Sequence, residues 1–273
     1  MHRIVQISDT HFGTETQPVV AALRSQLNSL KPDLLVCSGD ITQRARSNQF
    51  NAASTFLSTL EYGDLLCVPG NHDMPLFNVF QRLFDPYSNY NQFVGSMRQK
   101  DVLVNQTFST PGLVVVGVNS CNPFHYKNGR LKHRELENLE AALKNTADET
   151  IKLVVAHHPF DAIQVSDEEN IMPNAQKLLA RFGELGVDMV LGGHIHYQFC
   201  RTTEHRYPDL KKPIGVCQAG TTLSSRVRAG LPNSFMELQV HESKSDLTVT
   251  QWEYIEGQRA FAATTEYQPF KKE

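Results

Sequence analysis

An α/β fold with two sheets packed face to face is what this sequence predicts, and three observations carry the prediction. Apolar runs of strand length recur near residues 3–8, 33–37, 64–68, 113–118, 151–156 and 187–191, and helical patterns lie between several of them, as parallel strands covered by helices require. The last third differs: its runs near 214–218, 234–240 and 247–254 are separated by loops, which points to a second, more antiparallel sheet. Five short polar segments hold six of the eleven histidines, and each follows an apolar run. They therefore fall at strand carboxyl ends, where open α/β sheets bind ligands.

Ile4-Val5-Gln6-Ile7 opens the chain as a strand. Pro18 to Leu30 follows as a helix, with Val19, Leu23, Leu27 and Leu30 at helical spacing, and Ser47 to Leu60 repeats the pattern through Phe50, Ala53, Leu57 and Leu60. The segment from about 74 to 108 is rich in aromatics (Phe77, Phe80, Phe84, Tyr87, Tyr90, Phe93) and reads as a helical cap insert. Within it Leu76, Phe80, Leu83 and Phe84 have helical spacing, so these side chains are expected to pack as the core of the insert, with Asp85-Pro86 and Ser88-Asn89 marking a break. Arg134 to Leu143, through Leu136, Leu139 and Leu143, and then Pro173 to Leu185 supply the later helices. No Gly/Ser-rich or Pro-rich linker divides the chain and no internal repeat is visible, so a single domain over residues 1–273 is expected.

Composition narrows the setting. Five cysteines occur without a CxxC or Cys/His zinc pattern, in contexts such as Leu35-Val36-Cys37-Ser38, and read as free thiols of a reducing cytoplasm. Met1-His2-Arg3 runs straight into the first strand and leaves no room for a signal peptide, and no stretch approaches the ~20 apolar residues of a membrane span. A soluble, cytoplasmic protein is expected. The net charge is −3 and the densest basic run is the terminal Lys271-Lys272, so no nucleic-acid footprint is visible and no nucleic-acid partner is expected.

The five segments are Asp9-Thr10-His11, Gly39-Asp40, Gly70-Asn71-His72-Asp73, His157-His158-Pro159 and Gly193-His194-Ile195-His196. A strand delivers residues i and i+2 to one side, so Asp9 with His11, and His194 with His196, can each aim two donor atoms at one point. Carboxylate oxygen, amide oxygen and imidazole nitrogen together suit Mn²⁺, Fe²⁺ or Zn²⁺ better than Ca²⁺, which prefers oxygen alone. A metal pair about 3.5 to 4 Å apart clamps the oxygens of a phosphoryl group during in-line attack. His157 and His158 are adjacent and point to opposite sides if the strand continues; His157 is taken as the ligand and His158 as its neighbour.

From residue 4 to residue 196 the order D-x-H, G-D, G-N-H-D, H-H-P and G-H-x-H strongly resembles the calcineurin-like metallophosphoesterase superfamily. The resemblance implies a four-layer α/β/β/α sandwich of two mixed sheets and two divalent metal ions. It implies that Asp9, His11 and His196 hold one metal, that Asn71, His157 and His194 hold the other, and that Asp40 bridges them. It also places His72 against the phosphate, either protonating the leaving oxygen or stabilising transition-state charge, with Asp73 able to orient the imidazole through a carboxylate hydrogen bond.

Departures from relatives narrow the subclass. Asp40 is followed by Ile41-Thr42-Gln43, without the tyrosine of purple acid phosphatases, and the chain lacks the G-D-x-V-D-R-G of protein Ser/Thr phosphatases. Gly39 to Phe50, with Gly70 to Asp73 and the following Pro75-Leu76-Phe77-Asn78, looks most like the bacterial branch containing class III cyclic-nucleotide phosphodiesterases. The expectation is a phosphodiesterase attacking a cyclic nucleotide or related small phosphodiester with a metal-bound hydroxide. Alternatives are a pyrophosphatase for a nucleotide-sugar lipid of the UDP-diacylglucosamine type, which would allow peripheral membrane contact, a phosphomonoesterase, and, less favoured, a non-enzymatic metal-binding scaffold. Arg226 and Arg228, at i and i+2 beyond a late strand, and Arg44 and Arg46, after Asp40, are candidates for phosphate contact, against the commoner reading as solvated loop arginines.

Overall fold

The computed structural model describes residues 1–99, 104–105, 107–125 and 127–271. Its first sheet is built on three parallel strands, β1 (His2–Ile7), β2 (Leu34–Cys37) and β3 (Asp64–Cys67), with the short β4 (Val104–Asn105) beyond β3. The second sheet contains β5 (Thr107–Thr110), β6 (Leu113–Gly117), β7 (Ile151–Val155), β8 (Met189–Gly192), β9 (Phe199–Thr202) and β10 (Gly215–Gln218), in the order β5-β6-β7-β8-β10-β9. Strands β11 (Ser234–Val240), β12 (Thr248–Ile255) and β13 (Ala260–Tyr267) then return to the first sheet, where β11 pairs antiparallel with β1, giving β13-β12-β11-β1-β2-β3-β4. Both sheets are mixed. The expectation that the late strands form a separate antiparallel sheet is corrected: β10 runs parallel to β8, and β11 to β13 extend the sheet that opens the chain.

Period-two alternation decides which side chain goes where. Ile4, Leu34, Val36, Leu66 and Leu238 of the first sheet face Leu153, Val155 and Leu191 of the second in a core between the sheets. Their neighbours Val5, Ile7, Leu35, Cys37 and Leu65 turn the other way, onto α1 (Gln17–Leu30), α2 (Ser47–Leu57) and α4 (Ser88–Gln99). On the far side Val114, Val116, Val154 and Val190 receive α5 (His133–Leu143) and α6 (Ala175–Glu184). The result is four layers, helix, sheet, sheet, helix. Phe182 of α6 is fully buried and packs at a tilt on Phe160, with ring centroids 5.5 Å apart. Phe182→Ala is expected to cost about 3–5 kcal/mol, seen as a lower denaturant midpoint at unchanged slope.

The 74–108 segment divides in two. Tyr90, Phe93 and Met97 of α4 are buried against Phe50 and α2, so this helix belongs to the outer layer. The short α3 (Val79–Phe84) buries none of its residues. Phe80, Leu83 and Phe84, expected as core, are exposed, because the polar side chains of α3 take the inward positions. Residues 100–103 and 106 of the expected insert lie outside the described residues.

Candidate metal centre

All five polar segments meet at one edge of the sandwich, beginning one to three residues past the ends of β1, β2, β3, β7 and β8. The donors are not delivered by strand alternation. Asp9, His11, Asp40, His194 and His196 all adopt positive φ, between 42° and 79°, so each side chain is turned by a left-handed backbone residue just beyond its strand. Backbone bonds hold these turns: Asp9 N donates to Gly39 O at 3.1 Å and His11 N to Asp40 O at 2.9 Å. Gly39 has φ +100°, and a Cβ there would strike the His157 ring; one at Gly70 would strike the Asp40 carboxylate. These two glycines let the loops close around the donors.

Asp40 lies centrally. Its Oδ2 is 3.7 Å from His11 Nε2 and its Oδ1 3.4 Å from His157 Nε2, while Oδ1 also accepts the backbone N–H of His72 at 2.8 Å. On one side Asp9 Oδ1 is 3.5 Å from His196 Nε2 and 3.9 Å from His11 Nε2. On the other, Asn71 Oδ1 is 2.9 Å from His194 Nδ1 and 3.2 Å from His157 Nε2. His157 anchors its Nδ1–H on Ser38 O at 2.9 Å, whereas His158 turns away and bonds through Nδ1 to Ser120 Oγ at 2.9 Å.

The donor set fits divalent cations. His11 is fully buried, yet neither of its ring nitrogens has a hydrogen-bond partner among the described residues, an arrangement costly for an imidazole unless something else is bound. Burial depresses the pKa of His11 well below its ordinary value and that of His194 to about 3, so both rings are neutral and present lone pairs. Burial would lower His157 too, but the Asp40 charge and hydrogen bond outweigh it and raise this group to about 9. In turn burial raises Asp40, and the surrounding His157, His72 and His11 override it and hold the carboxyl well below the usual range.

His72 and Asp73 part company. The His72 ring places Nδ1 2.9 Å from Gln43 O, so this nitrogen carries the hydrogen, and Nε2 faces Arg226 Nη1 at 3.2 Å. Asp73 does not orient the ring, which corrects that expectation: its oxygens accept from Gly70 N, Ile41 N, Thr42 N and Thr42 Oγ1 at 2.8–3.0 Å. Burial and the nearby Asp40 push Asp73 up to about 7, against the pull of those amides. Its carboxylate ties the Asp40 turn to the Asn71 turn and is a positioning group.

The candidate arginines also separate. Arg226 enters the cleft and bonds Gln43 Oε1 at 3.1 Å beside His72. Arg44 lines the same cleft and its guanidinium sits 5.2 Å over the Phe77 ring. Arg228 is instead ion-paired with Asp167 and lies over Tyr197, while Arg46 stands at the N-terminal boundary of α2 and makes no side-chain cap there. The cleft, about 380 Å³, is further lined by Leu76, Lys127 and Asn170. No motif marks Lys127 or Asn170 in the sequence; only the fold brings them here.

Residues 2–198 match the family described as calcineurin-like phosphoesterase. A glycerophosphodiester phosphodiesterase, GpdQ of Enterobacter lignolyticus, is 30% identical over 71% of this chain and 70% of its own length. A probable cyclic nucleotide phosphodiesterase of Synechococcus is 26% identical over 72% of this chain and 74% of its own. A dimetal phosphatase from Danio rerio superposes with a TM-score of 0.57 at 14% identity, covering 92% of this chain and 95% of that one, which shows the shared fold. This chain belongs to the calcineurin-like phosphoesterase family and is a metal-dependent phosphodiesterase-type hydrolase.

Proposed function

We propose that the protein hydrolyses small, polar phosphodiesters at a dinuclear divalent-metal centre, with Asp9, His11 and His196 holding one ion, Asn71, His157 and His194 the other, and Asp40 shared. The observation that carries this reading is the Asp40 carboxylate, which presents one oxygen to each donor group. Manganese, iron or zinc suits these nitrogen and oxygen donors. When bound, such ions neutralise phosphoryl charge and acidify water toward neutral pH. The chain's own contribution is orientation: Arg226 offers guanidinium donors to a phosphoryl oxygen, and His72, fixed through Nδ1, keeps Nε2 at the same place for the leaving oxygen.

The substrate reading rests on the lining. Arg44, Lys127 and Arg226 supply positive charge for an anion, and histidine is the only ring among the described lining residues. A nucleobase would want an aromatic platform; a glycerol-like arm needs only hydrogen bonds. The GpdQ relative agrees with that choice, while the Synechococcus relative keeps cyclic nucleotides as the second reading. The return of β11 to β13 to the sheet that β1 opens supports reading residues 1–273 as one domain. Five buried free cysteines support a cytoplasmic setting, and no described helix is long and apolar enough to cross a membrane.

Manganese-loaded protein is expected to cleave bis-p-nitrophenyl phosphate and glycerophosphodiesters, with cyclic AMP turned over more slowly. Faster turnover of cyclic AMP would favour the second reading. Turnover of none of the three would refute the hydrolase assignment.

A further inference from the structure

Helix α3 is built inside out. Its polar side chains bond to protein, Gln81 Nε2 to Ser88 Oγ at 2.8 Å and Arg82 Nε to Pro123 O at 2.6 Å. Its apolar side chains stand in solvent. Phe80 and Phe84, together with Phe77 before the helix and Phe124 on the adjoining turn, are 77–82% exposed. A helix seated on its own core shows the opposite arrangement, and a contiguous apolar ridge of this kind marks a surface that binds something.

Charge selects the partner. Leu83, Pro86 and Phe124 share one groove with Arg130 and Lys132, so the ridge runs directly into basic side chains. The stretch Cys121–Arg134 carries Lys127, Arg130, Lys132 and Arg134, all exposed, and no acidic residue. A two-fold dimer through this ridge would bring like charges together around an apolar centre, which is unfavourable. Phenylalanines flanked by lysine and arginine are instead the composition of an interfacial membrane contact, in which rings enter the acyl boundary and cations meet headgroup phosphates.

We propose that this ridge docks the protein peripherally on an anionic lipid surface. Leu76 and Lys127 line the metal cleft itself, so the docked face borders its mouth. The inference does not depend on which ester the cleft hydrolyses.

Co-sedimentation with vesicles of equal parts phosphatidylglycerol and phosphatidylcholine tests it. The full-length protein should pellet with these vesicles, be released by high salt, and stay in solution with pure phosphatidylcholine. Phe80→Glu/Phe84→Glu should reduce the bound fraction by about tenfold or more, since each ring lost weakens insertion. Both positions are exposed, so melting temperature and bis-p-nitrophenyl phosphate turnover in free solution should be unchanged. Arg130→Glu/Lys132→Glu should abolish the preference for the anionic vesicles. Failure of the wild type to pellet above the phosphatidylcholine background would overturn the proposal. So would a concentration-dependent dimer in sedimentation velocity that the phenylalanine variant dissolves, which would assign the ridge to a second copy.

Discussion

Asp40→Ala is expected to lower turnover by about a thousandfold or more, beyond the effect of removing any single donor on one side of the cleft. The reason is geometric. Asp9, His11 and His196 converge on one point and Asn71, His157 and His194 on another, but the Asp40 carboxylate faces both, at 3.7 Å from His11 and 3.4 Å from His157. Removing it should leave two incomplete sites, so metal content should fall from about two equivalents toward none, whereas His11→Ala should retain the partner site. Asp40→Asn sharpens the test. Its amide oxygen can still accept the His72 N–H that Asp40 receives at 2.8 Å, so the loops keep their anchor while the negative charge disappears. Mn²⁺ at a hundred times its dissociation constant should stabilise the wild type by about 2.7 kcal/mol for each site filled, and both variants should lose that protection. Elemental analysis of the purified proteins and melting with and without Mn²⁺ provide the readouts. An Asp40→Asn protein that keeps two tightly bound ions and full activity would eliminate the shared-carboxylate arrangement.

Much of this site was legible because its donors are chemically uncommon where they stand. Carboxylate, amide and imidazole groups clustered after apolar runs have few structural uses, and strand ends bring them together. The manner of their presentation was not legible. Asp9, His11, Asp40, His194 and His196 take left-handed backbone conformations that non-glycine residues seldom adopt, held by bonds such as His11 N to Asp40 O between segments remote in sequence. Sheet membership was hidden for a similar reason: β11 pairs with β1 across the length of the chain, and local loops near residue 234 say nothing about that partner. Arg228 looked equivalent to Arg226 two residues earlier, yet Asp167, which no local pattern ties to it, captures its guanidinium. The α3 residues misled because helical spacing reports a shared face but not which way the face points.

His72→Ala is expected to cut turnover by about a hundredfold to ten-thousandfold while leaving metal content unchanged. Although His72, His11 and Asp40 form a third donor group of metal-binding spacing, the Arg226 guanidinium lies 3.2 Å from His72 Nε2, a position that repels a cation and suits a phosphate oxygen. The chemical role can be separated from mere shape by the leaving group. An acid that protonates the departing oxygen matters most when that oxygen leaves poorly, so the loss should be larger for an alkyl phosphodiester than for bis-p-nitrophenyl phosphate, whose phenolate needs no proton. Charge stabilisation would reduce both rates by the same factor. The anchoring of Nδ1 on Gln43 O leaves Nε2, now beside the Arg226 guanidinium, as the nitrogen facing the cleft; an unequal result would require this nitrogen to be protonated when the phosphate displaces that contact. His72→Gln should recover part of the loss with the good leaving group, since its amide can donate a hydrogen bond but cannot transfer a proton. Full activity in His72→Ala would instead show that neither role belongs to this residue and would return the metal-binding scaffold to consideration.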